Sequence, residues 1–405
     1  MHTALKNKWG DEVFPLLSWF ETEKVKEAKV MVAGAGALGN EVLKNLALFG
    51  VGNLVIVDFD TIEQSNLTRS ILFRKEDADK KLFKANVAAQ RIKEINPDIN
   101  VLPICGDLYS DVGLGLYRSM DVIIGCLDSL QARVLLNRLC FRAGKTWIDG
   151  GIGNLEGQAS VYQARENCYE CNLTDEEKNE LNRQTSCAGV VKMNENAGRV
   201  ATTPVIASII AAVQAQEAMK LIHPEAIRSG YFSTLAGKLF VYEGTSCSAN
   251  VFDFSSRKND CIAHEYWEPV MEIPDLSADT PVFQALELIK QSISANKVEI
   301  IMRNNKFVDI TESRTTNKRF SPMLPESKIP SYISASEELK NLQISEGFYQ
   351  HDFENIDELF PYSHLTLRQI GIPYYDVIQV STISSIFYVE LSKDKKQYEE
   401  LAPTG

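Results

Sequence analysis

Short apolar runs and helical apolar stripes alternate along the first two thirds of this 405-residue chain. Residues 29–33 read as a buried strand, followed by Gly34-Ala-Gly36-Ala37-Leu-Gly39 and a helix over 40–49; a second strand, 53–58, ends in acid. Strand, glycine turn, helix and strand in such close succession make a βαβ unit and hence a parallel pair. The alternation continues with a helix over 84–95, strands at 101–105 and 121–126, a helix over 130–142, and strands at 147–150 and 158–162. Residues 172–197 are polar and read as an exposed loop. An apolar helix over 204–221 comes next, and strands 237–243 and 251–254 lead to Cys261-Ile-Ala-His264. Ahead of the first strand, residues 1–27 read as a charged helical segment anchored by Trp9, Phe14, Leu17, Trp19 and Phe20. Pro269, Pro274 and Pro281 punctuate a linker over 266–280. Residues 281–405 then read as a separate module, with a helix over 282–294, strands at 298–302, 376–380 and 385–391, and a polar stretch, 311–328, expected to be mobile. The predicted class is α/β: a parallel sheet with helices on both faces over 28–265, plus a smaller C-terminal α+β module.

Composition changes this picture little, with 44% hydrophobic and 24% charged residues. The longest apolar run, around 205–213, is too short to span a bilayer. The first residues, MHTALKNKWGDEVF, carry acids where a secretion signal needs an apolar stretch, so a cytoplasmic protein without a membrane segment is expected. A net charge of −12 argues against a nucleic-acid binder, which needs a basic field, and favours a partner with a basic patch. Eight cysteines are too few for a disulfide scaffold, and Cys168-Tyr-Glu-Cys171 suggests half of a metal site.

The glycine turn follows a strand and opens a helix, the context in which backbone N–H groups and a helix N-terminus approach phosphate, as in Rossmann-like folds. Asp58 lies 22 residues after Gly36, where an acid can accept hydrogen bonds from ribose hydroxyls. A dinucleotide dehydrogenase is compatible with that much. The residues beyond Asp58 shift the reading: Asp58-Phe-Asp60-Thr-Ile-Glu-Gln-Ser-Asn66-Leu-Thr-Arg69, then Lys84, then Cys126-Leu-Asp128-Ser129. Strand ends at one edge of a parallel sheet converge on one crevice. There Arg69 and Lys84 would neutralise a triphosphate, and Asp128, with Asp60 as a second candidate, would hold Mg²⁺. The bland alternative makes the cations surface groups and Asp128 a helix cap.

Together these motifs resemble the family that includes the adenylating enzymes of thiamine and molybdenum-cofactor synthesis and the ubiquitin-activating enzymes. The resemblance covers 28–265 and rests on GAGALG, VDFDTIEQSNLTR, Lys84 ahead of INP, GCLDS, the cysteine pair and the long apolar helix. The stretches ILF, GCLDSLQAR and DGGIGNLEGQASV are similar to the catalytic subunit of heterodimeric activators of ubiquitin-like proteins. That resemblance implies ATP with Mg²⁺: the turn of Gly34, Gly36, Ala37 and Gly39 beside the adenosine, Asp58 on the ribose, Asn66, Arg69 and Lys84 on the phosphates, and Asp128 on the metal, with Asp60 and Ser129 also counted among the nucleotide-binding residues. It further implies a second half to the metal site at Cys261 and His264, completing a structural Zn²⁺ centre with Cys168 and Cys171; Cys247 is the alternative donor. At Cys187, in a polar, glycine-bounded stretch, the resembling activators carry the thiol that takes the modifier as a thioester. A buried structural thiol, the general rule for free cysteines, suits Cys105, Cys126 and Cys140 better.

The resemblance therefore implies activation of a ubiquitin-like protein at its C-terminal glycine, with transfer to a conjugating enzyme and pairing as a homodimer or heterodimer. Adenylation of a sulfur-carrier protein is the alternative, and a non-catalytic scaffold a second one. Residues 262–405 hold no cysteine, which excludes a fused sulfurtransferase; their element types fit a small ubiquitin-like module that recruits the conjugating enzyme, with a dimerisation or partner-docking domain as the bland alternative. One departure stands out: no arginine precedes Arg69, so an N-terminal arginine lent across a dimer is missing unless Lys6 or Lys8 replaces it.

Overall fold

The computed structural model describes residues 10, 13–186, 202–254, 257–302, 305–314, 316–345 and 348–400. The chain divides into two compact units, one of residues up to Leu108 with Tyr117–Tyr266, the other of Tyr109–Leu116 with Trp267–Glu400.

In the first unit, β1 (Lys29–Ala33) and β2 (Asn53–Val57) are apolar on both faces and nearly fully buried, as central strands of a covered parallel sheet must be. They are joined by β3 (Asn100–Ile104), β4 (Val122–Gly125), β5 (Trp147–Ile152), β6 (Glu156–Tyr162), β7 (Lys238–Glu243) and β8 (Ser248–Asp253) in the order β3-β2-β1-β4-β5-β6-β7-β8. The first five run parallel. The last three pair antiparallel, so the sheet is mixed rather than wholly parallel. Short turns at 153–155 and 244–247 make hairpins of β5–β6 and β7–β8, which a parallel crossover could not fit. The strand order reverses between β1 and β4, placing a crevice at their carboxyl ends.

Helix Ala37–Phe49 buries Leu38, Val42, Leu43, Leu46 and Ala47 in the core and ends at Gly50, whose φ of 81° suits glycine. Helix Pro204–Ile222 packs against it with Ile206, Ala207, Ile210 and Ala211, started by a Thr203 cap that accepts from the Ile206 N–H. At 19 residues it is long and apolar enough to cross a membrane by length and composition, although the apolar run read from sequence was shorter; here its buried stripe belongs to the core. Residues 172–197, expected as loop, contain a helix, Asp175–Ser186. It lacks an apolar stripe, which hid its period, but Thr174 and Glu177 form a reciprocal capping box at 2.8 and 3.2 Å.

The second unit has a five-stranded sheet. Its strands are β9 (Val270–Ile273), β10 (Glu299–Ile301), β15 (Asn355–Ile356), β16 (Val377–Ser381) and β17 (Ile386–Leu391), ordered β15-β10-β16-β17-β9. Helix Val282–Ile293 lays Val282, Ala285, Leu286 and Ile289 on it. The expected linker is thus partly strand: β9 pairs parallel with β17, and Pro269 and Pro274 mark its ends, where missing N–H groups cost nothing. The stretch expected to be mobile is folded too. Strands β11 (Phe307–Ser313), β12 (Arg319–Phe320), β13 (Leu324–Pro325) and β14 (Phe348–Phe353) make a second, small sheet, whose Val308 packs with Ile329, Ile333 and Leu339.

Candidate functional site

The crevice is built first by backbone. Gly34 has φ +96°, and a Cβ on it would sit 2.4 Å from the Cys126 carbonyl oxygen, so the turn presses directly on the end of β4. A Cβ on Gly39 would lie 2.0 Å from the Gly34 oxygen. Gly36, which opens the Ala37–Phe49 helix, would meet nothing within 4 Å: the turn is closed on its protein side and open on the other. Asp58, at the end of β2, ties in from the next strand, Oδ2 accepting from the Ala35 N–H at 2.7 Å and Oδ1 from the Asp60 N–H at 2.8 Å. Burial pushes its carboxyl up, opposed by the charge of Lys84 and by those two donors. Lys84 begins helix Lys84–Ile95 and is itself buried; its ammonium pairs with Asp60 at 2.7 Å, and its N–H donates to the Asp60 carbonyl at 2.9 Å.

The glycine turn, Asp58, Asp60 and Lys84 are therefore joined by direct contacts. Asp128 is exposed and stands two residues beyond Cys126, while Ser129 caps helix Leu130–Ala143 by accepting from the Ala132 N–H at 3.2 Å. Asn66 lies in the short 3₁₀ helix Gln64–Thr68 and Arg69 closes it, and their side chains are engaged within it: Asn66 Oδ1 accepts from the Glu63 N–H at 2.9 Å, and Arg69 Nη1 donates to the Ser65 carbonyl at 2.9 Å. Asn40, which sequence reasoning passed over, fastens the chain just beyond it. Fully buried, it donates to the Ala35 and Gly36 carbonyls at 2.7 and 2.9 Å and accepts from the Leu72 N–H at 2.9 Å. An amide on an otherwise apolar helix stripe was its visible signal, since buried polar groups demand partners.

The second candidate centre is the cysteine group. Cys168, Cys171, Cys261 and His264 offer ligand atoms within 4.8 Å of one another. Cys168 Sγ lies 3.7 Å from both Cys171 and Cys261, and Cys171 Sγ 3.3 Å from His264 Nε2. A tetrahedron with Zn–S of about 2.3 Å and Zn–N of about 2.0 Å has edges of about 3.8 and 3.5 Å, so the donors fit zinc. Burial pushes the Cys168 and Cys261 thiols up, so a cation bound there would release protons. Cys247, the alternative donor, lies outside the group, in the β7–β8 turn with φ 50°. Helix Leu130–Ala143 backs the centre: Arg138 grips Glu170 at 2.9 and 2.7 Å, and the Phe141 ring stacks on His264 at 4.6 Å. Cys187, Lys6 and Lys8 lie outside the described residues.

The description "ThiF family" matches residues 10–263. Among known proteins, the chain is 33% identical to a molybdopterin-synthase adenylyltransferase of Salmonella typhimurium over 56% of its own length and 82% of that protein's. It is 38% identical to the SUMO-activating enzyme subunit uba-2 of Caenorhabditis elegans over 38% of its length and 27% of the relative's, and 32% identical to a probable molybdopterin-synthase adenylyltransferase of Porphyra purpurea over 59% and 58%. The chain thus spans about a quarter of the SUMO-activating subunit and little more than half of the Porphyra protein. A glycine turn closed onto β4, an acid from β2 reaching that turn and the family match over residues 10–263 lead to one identification: the chain belongs to the ThiF family.

Proposed function

We propose that the chain adenylates the C-terminal carboxylate of a ubiquitin-like protein with ATP. The observation that carries this reading is the contact set at one sheet edge, where Asp58 bonds the glycine turn and Lys84 sits beside both Asp58 and Asp60. The open side of the turn at Gly36 would face the adenosine, with Asp58 accepting from the ribose. Lys84, Arg69 and Asn66 would bind the phosphates; Arg69 and Asn66, half-buried, would exchange bonds within their own 3₁₀ turn for bonds to phosphate. The carboxylate oxygen attacks the α-phosphorus, the bond to the bridging oxygen breaks, and pyrophosphate leaves with the negative charge that the two cations neutralise. Mg²⁺, held by Asp128, would supply further charge neutralisation. Asp60, paired with Lys84 through one carboxylate oxygen, would orient that ammonium and remains the second candidate for the metal.

In this reading Cys187 displaces AMP to form a thioester, which passes to a conjugating enzyme recruited by the second unit, while zinc on the Cys₃His group staples the end of the first. The second reading, adenylation of a sulfur carrier without a thioester, is favoured by the Salmonella relative, most of whose length the chain covers. Incubation with ATP, Mg²⁺ and candidate carrier proteins, followed by non-reducing electrophoresis, separates the two. A dithiothreitol-sensitive adduct that disappears in Cys187→Ala, with pyrophosphate exchange retained, supports the first. Exchange with no adduct supports the second, and no exchange with any carrier defeats both.

A further inference from the structure

Two buried polar side chains, Asp149 and Gln214, and the half-buried Arg133, which neither candidate centre uses, meet where β4 and β5 part. The ladder between these strands ends at Gly125 opposite Asp149. Beyond it, side chains replace backbone pairing. Arg133 donates through Nε and Nη2 to the Leu127 carbonyl at 3.3 and 3.1 Å, and through Nη2 to the Gly150 carbonyl at 3.1 Å. Gln214 donates to the Gly125 carbonyl at 2.9 Å from the core helix Pro204–Ile222. A Cβ on Gly150 would lie 2.5 Å from the Gln214 side chain, so this join has no slack. Asp149, 2% exposed, faces the Arg133 guanidinium at 3.6 Å, and Tyr169, from between the first two cysteines of the metal group, approaches the same guanidinium.

A buried ion pair is weak evidence for stability, because desolvation offsets much of the attraction. Its use here is better sought in geometry. The planar fork of Arg133 holds the Leu127 carbonyl through two nitrogens while bridging to Gly150 on β5, a geometry that a single ammonium nitrogen does not reproduce. One of them, Leu127, is the residue immediately before Asp128. We propose that Arg133, with Asp149 as its buried counter-charge, is a positioning residue that fixes the Leu127 peptide and so aims the Asp128 carboxylate for its cation. The inference rests on the adenylation reading. It accounts for the sequence Asp128-Ser-Leu-Gln-Ala-Arg133, in which the helix that Ser129 caps returns its first-turn arginine to the chain just before the acid.

The test titrates Mg²⁺ into full-length protein holding a fluorescent ATP analogue and compares the result with nucleotide binding in EDTA. Arg133→Lys keeps the charge opposite Asp149 but loses the double bridge. Arg133→Met with Asp149→Asn removes the pair together, leaving no orphaned charge to unfold the protein. Both are expected to raise the half-saturating Mg²⁺ concentration about ten- to a hundredfold, the usual effect of losing a group that orients a ligand. For both Arg133 variants nucleotide affinity in EDTA is expected to stay at the wild-type level, and Asp128→Asn should raise the Mg²⁺ midpoint at least as far. An unchanged Mg²⁺ midpoint in both variants, or equal losses with and without Mg²⁺, overturns the positioning role. A wild-type protein that binds no nucleotide overturns the adenylation reading and this inference with it.

Discussion

At Gly36 and Gly34, neighbours in one turn, opposite effects are expected from the same substitution. Gly34→Ala places a methyl against the Cys126 carbonyl at positive φ and should cost well over about 1 kcal/mol of stability. Gly36→Ala meets open space, so it should stay within about 1 kcal/mol of wild type, the scale of a helix-cap change, yet weaken ATP binding. Urea denaturation and nucleotide titration read the two effects separately. Asp58 carries a second expectation. Its folded carboxyl is pushed above the ordinary value of 3.8 by burial, so between those two pKa values the folded state binds the extra proton. Stability attributable to Asp58 therefore falls as pH rises through that window and stays lower above it. Asp58→Asn should thus be more favourable relative to wild type at neutral pH than at the acid end, and should still weaken ATP binding. Equal differences at both pH values would show that burial is not what perturbs this acid. At this scale the glycine turn, Asp58 and the Cys168–Cys171 pair stand out by their spacing, while Cys261 and His264, which the structure brings beside that pair, were reached only through the family resemblance. Asn40, Arg133, Asp149 and Gln214 were not legible, since a polar residue on an apolar stripe reveals burial but not its partners.

Among the elements, those with an apolar period were the readable ones. The strands 29–33 and 53–57 and the helices that start at Lys84 and Pro204 stand within a residue or two of where their patterns put them. Helix Asp175–Ser186, polar all round, reads as loop in sequence, and β9 is hidden between two prolines that in fact flank it. The metal knuckle yields its own expectation at this scale. Cys171→Ser or Cys261→Ser should lower bound zinc, measured by elemental analysis, from one per chain to near none and lower the melting temperature, because a structural site contributes folding free energy directly. Cys247→Ser should change neither. Retained zinc in the first two variants would contradict a Cys₃His site.

For the whole molecule, each of the two units has its own core, one around the eight-stranded sheet and one around helix Val282–Ile293. The first was readable as a nucleotide fold from its βαβ beginning; the antiparallel end of its sheet was not, because short apolar strands look alike in either direction. The second offered element types but no motif, and its small sheet of β11 to β14 arises from long-range pairings that local patterns do not carry. The adenylation reading requires one sheet edge of the first unit to hold ATP, and calorimetric titration of the full chain with ATP and Mg²⁺ is the sharpest check on that requirement. One site per chain is expected, weakened about ten- to a hundredfold by Lys84→Ala and by Asp58→Ala, the loss that comes from removing a hydrogen bond to or from a charged group. No binding heat, or binding indifferent to both substitutions, would contradict it.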